Sequence, residues 1–208
     1  IRYTEEGGVS SDANEKPALL LVHGFGASAQ HWGRNVFELS SRFHVFAVCM
    51  PGFGRAEKPP YVYTQLIWEA FLAEFVRDVV GRKVFIVGNS IGGYLSCAFA
   101  SDGHPELCAG LALVNTAGTL LTPAEYEAIL VNQGEAQPSR KSIISWLASN
   151  FEIARNVFGA MLLLLLRRNI SQTLQKAYPT AQMSEYPELL KEIYRNSLDA
   201  GAVNVLSS

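Results

Sequence analysis

A serine set among glycines is the part of this chain best equipped for chemistry. Lys83 to Phe99 reads KVFIVGNSIGGYLSCAF. Val84 to Val87 is a short run of β-branched and aromatic residues, the pattern of a buried strand. Gly88-Asn89-Ser90-Ile91-Gly92-Gly93 follows, and then an apolar, small-residue segment that reads as a buried helix. Strand, tight turn and helix is the context in which G-x-S-x-G carries meaning. A serine at the apex of so sharp a turn sits in strained backbone, so the residues two positions away must carry almost no side chain. Gly88 and Gly92 meet that need, and Gly93 lets the helix lie close to the sheet. The Ser90 hydroxyl is then expected above the sheet at the positive end of a helix, where developing negative charge is stabilised. Nucleophilic attack on a carbonyl is the chemistry this suits.

A second set of small residues lies upstream, at His23-Gly24-Phe25-Gly26-Ala27-Ser28-Ala29. It fits G-x-G-x-x-A after a strand, the dinucleotide pattern. That pattern requires an acidic residue at the end of the next strand for the ribose hydroxyls. The next strand ends at Cys49, which cannot serve. The better reading is an oxyanion loop, with a backbone N–H opposite Ser90. The residue after the serine, Ile91, gives the second N–H. Phe25 is the first choice for the other donor and Gly24 the next. His23 is read as a structural imidazole bonded to nearby backbone.

The elements that must position these residues alternate. Ile1 to Glu5 reads as a strand, turned by Gly7-Gly8, and Ala18 to Val22 is an apolar run, as expected of a strand covered on both faces. A helix is expected over about Ser28 to Ser41, then a buried strand at His44 to Cys49 and a turn at Met50 to Gly54. Gln65 to Val80 has apolar residues at helical spacing, and Leu111 to Asn115 is one more buried strand. Strand–helix alternation predicts an α/β fold with a doubly wound, mostly parallel sheet. After Gly118 only helices are expected, opening with Thr122-Pro123-Ala124-Glu125 as a capping box. Residues 1–118 are therefore expected to form the core, and 119–208 a helical cap over the active face.

Composition narrows the classes. The 208 residues are 49% hydrophobic and carry a net charge of −2, with no basic footprint for nucleic acid. Cys49, Cys97 and Cys108 lack metal-ligand spacing and read as reduced, buried thiols, and no metal or cofactor is expected. The longest apolar run, Val157 to Leu166, is about half of a membrane span. It is expected to be a helix buried against its neighbours, the alternative being a lid that touches a lipid-like substrate.

The chain resembles the α/β-hydrolase superfamily. LLLVHGFGASAQHW (Leu19 to Trp32), PGFGRAEKP (Pro51 to Pro59), VGNSIGGY (Val87 to Tyr94) and LALVNTAG (Leu111 to Gly118) occur in its order and at its separations. The later part is similar to plant and algal plastid members through RNISQTLQKAYP (Arg168 to Pro179) and IYRNSLDAGAV (Ile193 to Val203). Among these is the hydrolase module joined to a photolyase-like domain. The resemblance implies Ser90 as nucleophile, Phe25 and Ile91 as the oxyanion hole, a small-molecule ester or acyl substrate, a chloroplast location and an upstream photolyase-like domain. Cys49 stands where many members carry a structural aspartate. Dehalogenases and epoxide hydrolases place aspartate at the elbow apex, so the serine here speaks against their chemistry.

A serine needs a base, and the base an orienting acid. In this family their order is serine, acid, histidine. His104 is the only histidine after Ser90 and is expected at the opposite edge of the sheet. His31 and His44 read as surface or helix-end residues, and Asp199 and Glu188 as solvated cap residues. No strand followed by an acid comes after the cap. The expectation is a chain truncated before the last strands of the fold, nearly inactive alone. A non-catalytic binding or regulatory module on the same scaffold is the competing reading.

Overall fold

The computed structural model describes residues 1–7, 16–60, 62–118, 161, 164–165, 167–177, 182–199, 201–202 and 205. The capping box expected at 122–125 lies outside them. Among the described residues five strands form one sheet: β1 (Tyr3–Glu6), β2 (Ala18–Val22), β3 (His44–Val48), β4 (Val84–Asn89) and β5 (Cys108–Val114), in the order β1-β3-β2-β4-β5. β2, β3, β4 and β5 are parallel, and β1 pairs antiparallel with β3.

Alternation along β2 and β3 feeds two layers. Leu20, Val22, Phe46 and Val48 point to one face, where α2 (Gln65–Phe75) and α3 (Ile91–Ala98) supply Trp68, Leu72, Phe75 and Leu95. Leu19, Leu21, Val45 and Ala47 point to the other, against Ala29 and Val36 of α1 (Gly33–Leu39) and the turn before it. Both faces are covered, which is why β2 is apolar at every position and fully buried.

Local detail departs from the simple pattern. The helix expected over 28–41 is a tight turn at Ala29–Trp32 and then α1. α2 widens after Phe75, and Gly81, in left-handed backbone at φ +70°, donates back to the Val76 carbonyl at 2.8 Å. β5 begins at Cys108, not Leu111, and is the outermost strand on its side among the described residues. Leu111, Leu113 and Val114 there are exposed, as expected of an edge. Cys49 is buried, but Cys97 on α3 is exposed and Cys108 half-buried, so the reading of three buried thiols holds for one.

Towards the carboxy end lie α4 (Ile170–Ala177) and α5 (Pro187–Ser197). α5 seats on the segment 51–59. Arg55 grips the Glu192 carboxylate with two hydrogen bonds, at 2.6 and 2.9 Å. Lys58 pairs with Asp199 and also donates to the Gly54 carbonyl at 2.8 Å. Asp199 is exposed, as expected, and paired. Of the run Val157 to Leu166 the described residues are Met161, Leu164 and Leu165, and these three are exposed, not buried as expected. Among the described residues no helix is long and apolar enough to cross a membrane.

Candidate functional site

Register brings four loops to one edge. Val22 is level with Val48 and Gly88, and Asn89 with Val114. The loops that follow β2, β3, β4 and β5 therefore emerge side by side. The chain runs from β2 outward to β3 and then back across to β4. The crevice between the loops after β2 and β4 is the switch point where open α/β sheets bind ligands.

Ser90 stands at that crevice with φ +54° and ψ −122°, a conformation that only an over-determined structure imposes on a non-glycine residue. The determinants are visible. A Cβ on Gly88 would lie 2.5 Å from the Ser96 hydroxyl, and one on Gly92 2.5 Å from the Val22 carbonyl oxygen. A Cβ on Gly93 would overlap the Thr116 side chain. The Ser90 amide donates to Val114 at 3.2 Å, and its carbonyl accepts from Gly93, Tyr94 and Ala117 at 3.0, 3.2 and 2.9 Å. The Asn89 side chain also donates to Val114, at 3.1 Å. β5 therefore staples the elbow from one side, and α3 begins directly after it.

The loop after β2 closes the other side. A Cβ on Gly24 would stand 3.2 Å from the Ser90 Cβ and 3.1 Å from Asn89 Oδ1, so this backbone lies against the serine. Ala27 donates to the Gly24 carbonyl at 3.2 Å, and Gly26 takes φ +69°. In such a turn the second residue, Phe25, keeps its amide out of the turn's own bonding. Ile91, the first residue of α3, likewise has no intrahelical acceptor for its amide. Phe25 is half-exposed and meets the Phe53 ring edge to face at 5.1 Å.

His23 holds this loop from beneath. It is 2% exposed; Nδ1–H donates to the Gly24 carbonyl at 2.7 Å, and Nε2 accepts from the Met50 amide at 3.0 Å. Burial lowers its pKa to about 4, against the Gly24 bond, which acts to raise it. Both ring nitrogens are occupied and the ring is neutral. The other histidines are engaged elsewhere. His31 Nδ1 accepts from the Ser28 amide at 3.2 Å, and burial lowers its pKa too. His44 bonds Glu5 at 2.7 Å, and His104 bonds Arg77 at 3.2 Å, both at the opposite edge of the sheet. Among the described residues, which include all four histidines, no side chain bonds the Ser90 hydroxyl.

A cavity of about 310 Å³ opens beside Phe25. Phe53, Ile170, Leu174, Ile193 and Val205 make its wall largely apolar, so the segment 51–59 faces α4 and α5 across it. No cluster of three or more histidine, cysteine or acidic side chains able to hold a metal occurs among the described residues. Two features escaped the sequence reading. Thr116 keeps a buried hydroxyl without a partner against Gly93. The Arg55–Glu192 pair joins residues too far apart in sequence to signal one another.

The sequence profile of the Alpha/beta hydrolase family matches residues 19–200. The chain belongs to this family. A 2-hydroxy-6-oxo-6-(2'-aminophenyl)hexa-2,4-dienoic acid hydrolase of Metapseudomonas resinovorans is 36% identical over 127 residues, 58% of this chain and 43% of that protein. The chloroplastic pheophytinase of Arabidopsis thaliana is 27% identical over 146 residues, 55% of this chain and 29% of that protein. The alignments thus span less than half the length of these curated relatives. A probable hydrolytic enzyme from Pseudomonas aeruginosa superposes with a TM-score of 0.69 at 21% identity, over 99% of this chain and 58% of that one, a likeness of fold. The expected fold class is therefore correct.

Proposed function

We infer that this chain carries the nucleophile and oxyanion hole of a serine hydrolase acting on an ester or other acyl substrate. The observation that supports it most is the forced φ of +54° at Ser90 between Gly88 and Gly92, beside two unspent amides. In this reading Ser90 attacks the carbonyl carbon, and the Phe25 and Ile91 amides receive the oxyanion. Gly24 and Gly26 shape the donor loop, and neutral His23 fixes it. The apolar cavity beside Phe25 takes the hydrocarbon part of the substrate. Residues 119–208 act as the cap that encloses it. In this reading the base is a histidine other than His23, His31, His44 and His104, whose rings are engaged elsewhere. A chloroplast location, in keeping with the pheophytinase relative, and an upstream photolyase-like domain belong to the same proposal.

A fluorophosphonate probe followed by peptide mass spectrometry tests it on the full-length protein. The expected adduct sits on Ser90 and is absent in Ser90→Ala. Residues 1–208 alone are expected to label on the order of a hundredfold more slowly or worse, for want of a base. A folded full-length protein that does not label would favour the non-catalytic scaffold, and labelling retained in Ser90→Ala would overturn the nucleophile.

A further inference from the structure

Residues 161, 164, 165, 167 and 168 are helical. Met161, Leu164 and Leu165 stand at i, i+3 and i+4, on one helix face, and are 52%, 57% and 52% exposed. Arg168 continues that stripe and is also exposed. A single exposed leucine is ordinary, but a contiguous apolar stripe marks an interaction surface. The other side of the same segment faces inward. Arg167 donates to the Ser197 hydroxyl at 3.1 Å and to its carbonyl, and Arg167, Ile170 and Leu174 line the cavity.

Charge identifies what covers the stripe. Residues 153–184 contain no acidic residue and four basic ones, Arg155, Arg167, Arg168 and Lys176, so this stretch carries +4 in a chain of net −2. Arg168 and Lys176 are exposed. A second copy meeting the stripe through a two-fold axis would set this basic stretch against itself. An anionic lipid surface neutralises it. We propose that the exposed face formed by Met161, Leu164, Leu165, Arg168 and Lys176 docks on a bilayer surface rich in anionic lipid, with Met161, Leu164 and Leu165 in the acyl boundary and Arg168 and Lys176 among the headgroups. Docking brings the cavity wall to the lipid and does not depend on Ser90, so it stands apart from the proposed hydrolysis.

Co-sedimentation of the full chain with vesicles tests this. Binding to phosphatidylglycerol vesicles is expected to exceed binding to phosphatidylcholine vesicles by about tenfold or more and to weaken with salt. Arg168→Gln and Lys176→Gln should each lower it about fivefold. Leu164→Gln combined with Leu165→Gln should lower it about tenfold or more. All four positions are exposed, so the variants should melt as the parent does. Absence of binding, equal binding to both vesicles, or binding untouched by the double leucine variant would overturn the proposal. So would a dimer in sedimentation velocity that the double variant dissolves, because that result puts a second copy on the stripe.

Discussion

Around Ser90 the contacts that decide the shape are steric, close against glycine backbone; around α5 they are between charges. At the elbow, Gly88 and Gly92 press against Ser96 and Val22 so closely that a methyl group has no room. At the seat of α5, Arg55 holds Glu192 and Lys58 holds Asp199. Steric contact fixes atoms to tenths of an ångström and ignores salt and pH. Ion pairs between long side chains hold position more loosely and answer to both. The corner that must aim an oxygen at a carbonyl carbon is built the first way, and the helix that walls the cavity is attached the second way.

Glycine substitutions break this contrast hardest. Gly92→Ala should cost about 3 kcal/mol or unfold the chain, because its Cβ meets the Val22 and His23 backbone. Gly33→Ala, with nothing within 4 Å, should be neutral or slightly stabilising. Urea denaturation of the two variants measures the difference.

Acid separates the regions next. The folded-state pKa of His23 lies below its unfolded value of 6.5, so the unfolded chain takes up the proton first. Stability is therefore full above about pH 6.5 and drains away as pH falls towards 4, by about 3 kcal/mol in all. Glu192 behaves in the same direction but in a lower window. The hydrogen bonds from Arg55 hold its carboxyl below the usual 4.5, so its contribution persists above that value and is lost on further acidification. Urea melts between pH 7 and 2, with the His23 ring followed by NMR, should show the first window before the second.

Smaller effects sharpen the contrast. Glu192→Gln should cost about 1–2 kcal/mol, and should speed hydrogen exchange in α5 while leaving the elbow amides unchanged. His104→Ala should do least: it bonds Arg77 at the far edge of the sheet, so labelling of Ser90 in the full-length protein should stay within about twofold. A larger loss there would put His104 near the chemistry and upset the layout of the sheet.

The same contrast decides what was legible in the sequence. Steric demands are written locally: glycines two residues on either side of Ser90 announce the elbow, and the unbroken apolar run Ala18 to Val22 announces a strand buried on both faces. His23 was readable as structural because it directly precedes the loop it braces. The seat of α5 was not legible, since Arg55 and Glu192 meet only after the chain has folded back. Met161, Leu164 and Leu165 misled because hydrophobicity alone was taken to mean burial, and Cys97 for want of a view of which face of α3 meets the sheet.

The most direct measurement is a crystal structure of the full-length protein phosphonylated by the probe. The account predicts a bond from phosphorus to Ser90 Oγ, with the phosphoryl oxygen about 2.7–3.1 Å from both the Phe25 and Ile91 amide nitrogens. An adduct on another residue, or a phosphoryl oxygen turned away from both amides, would contradict it.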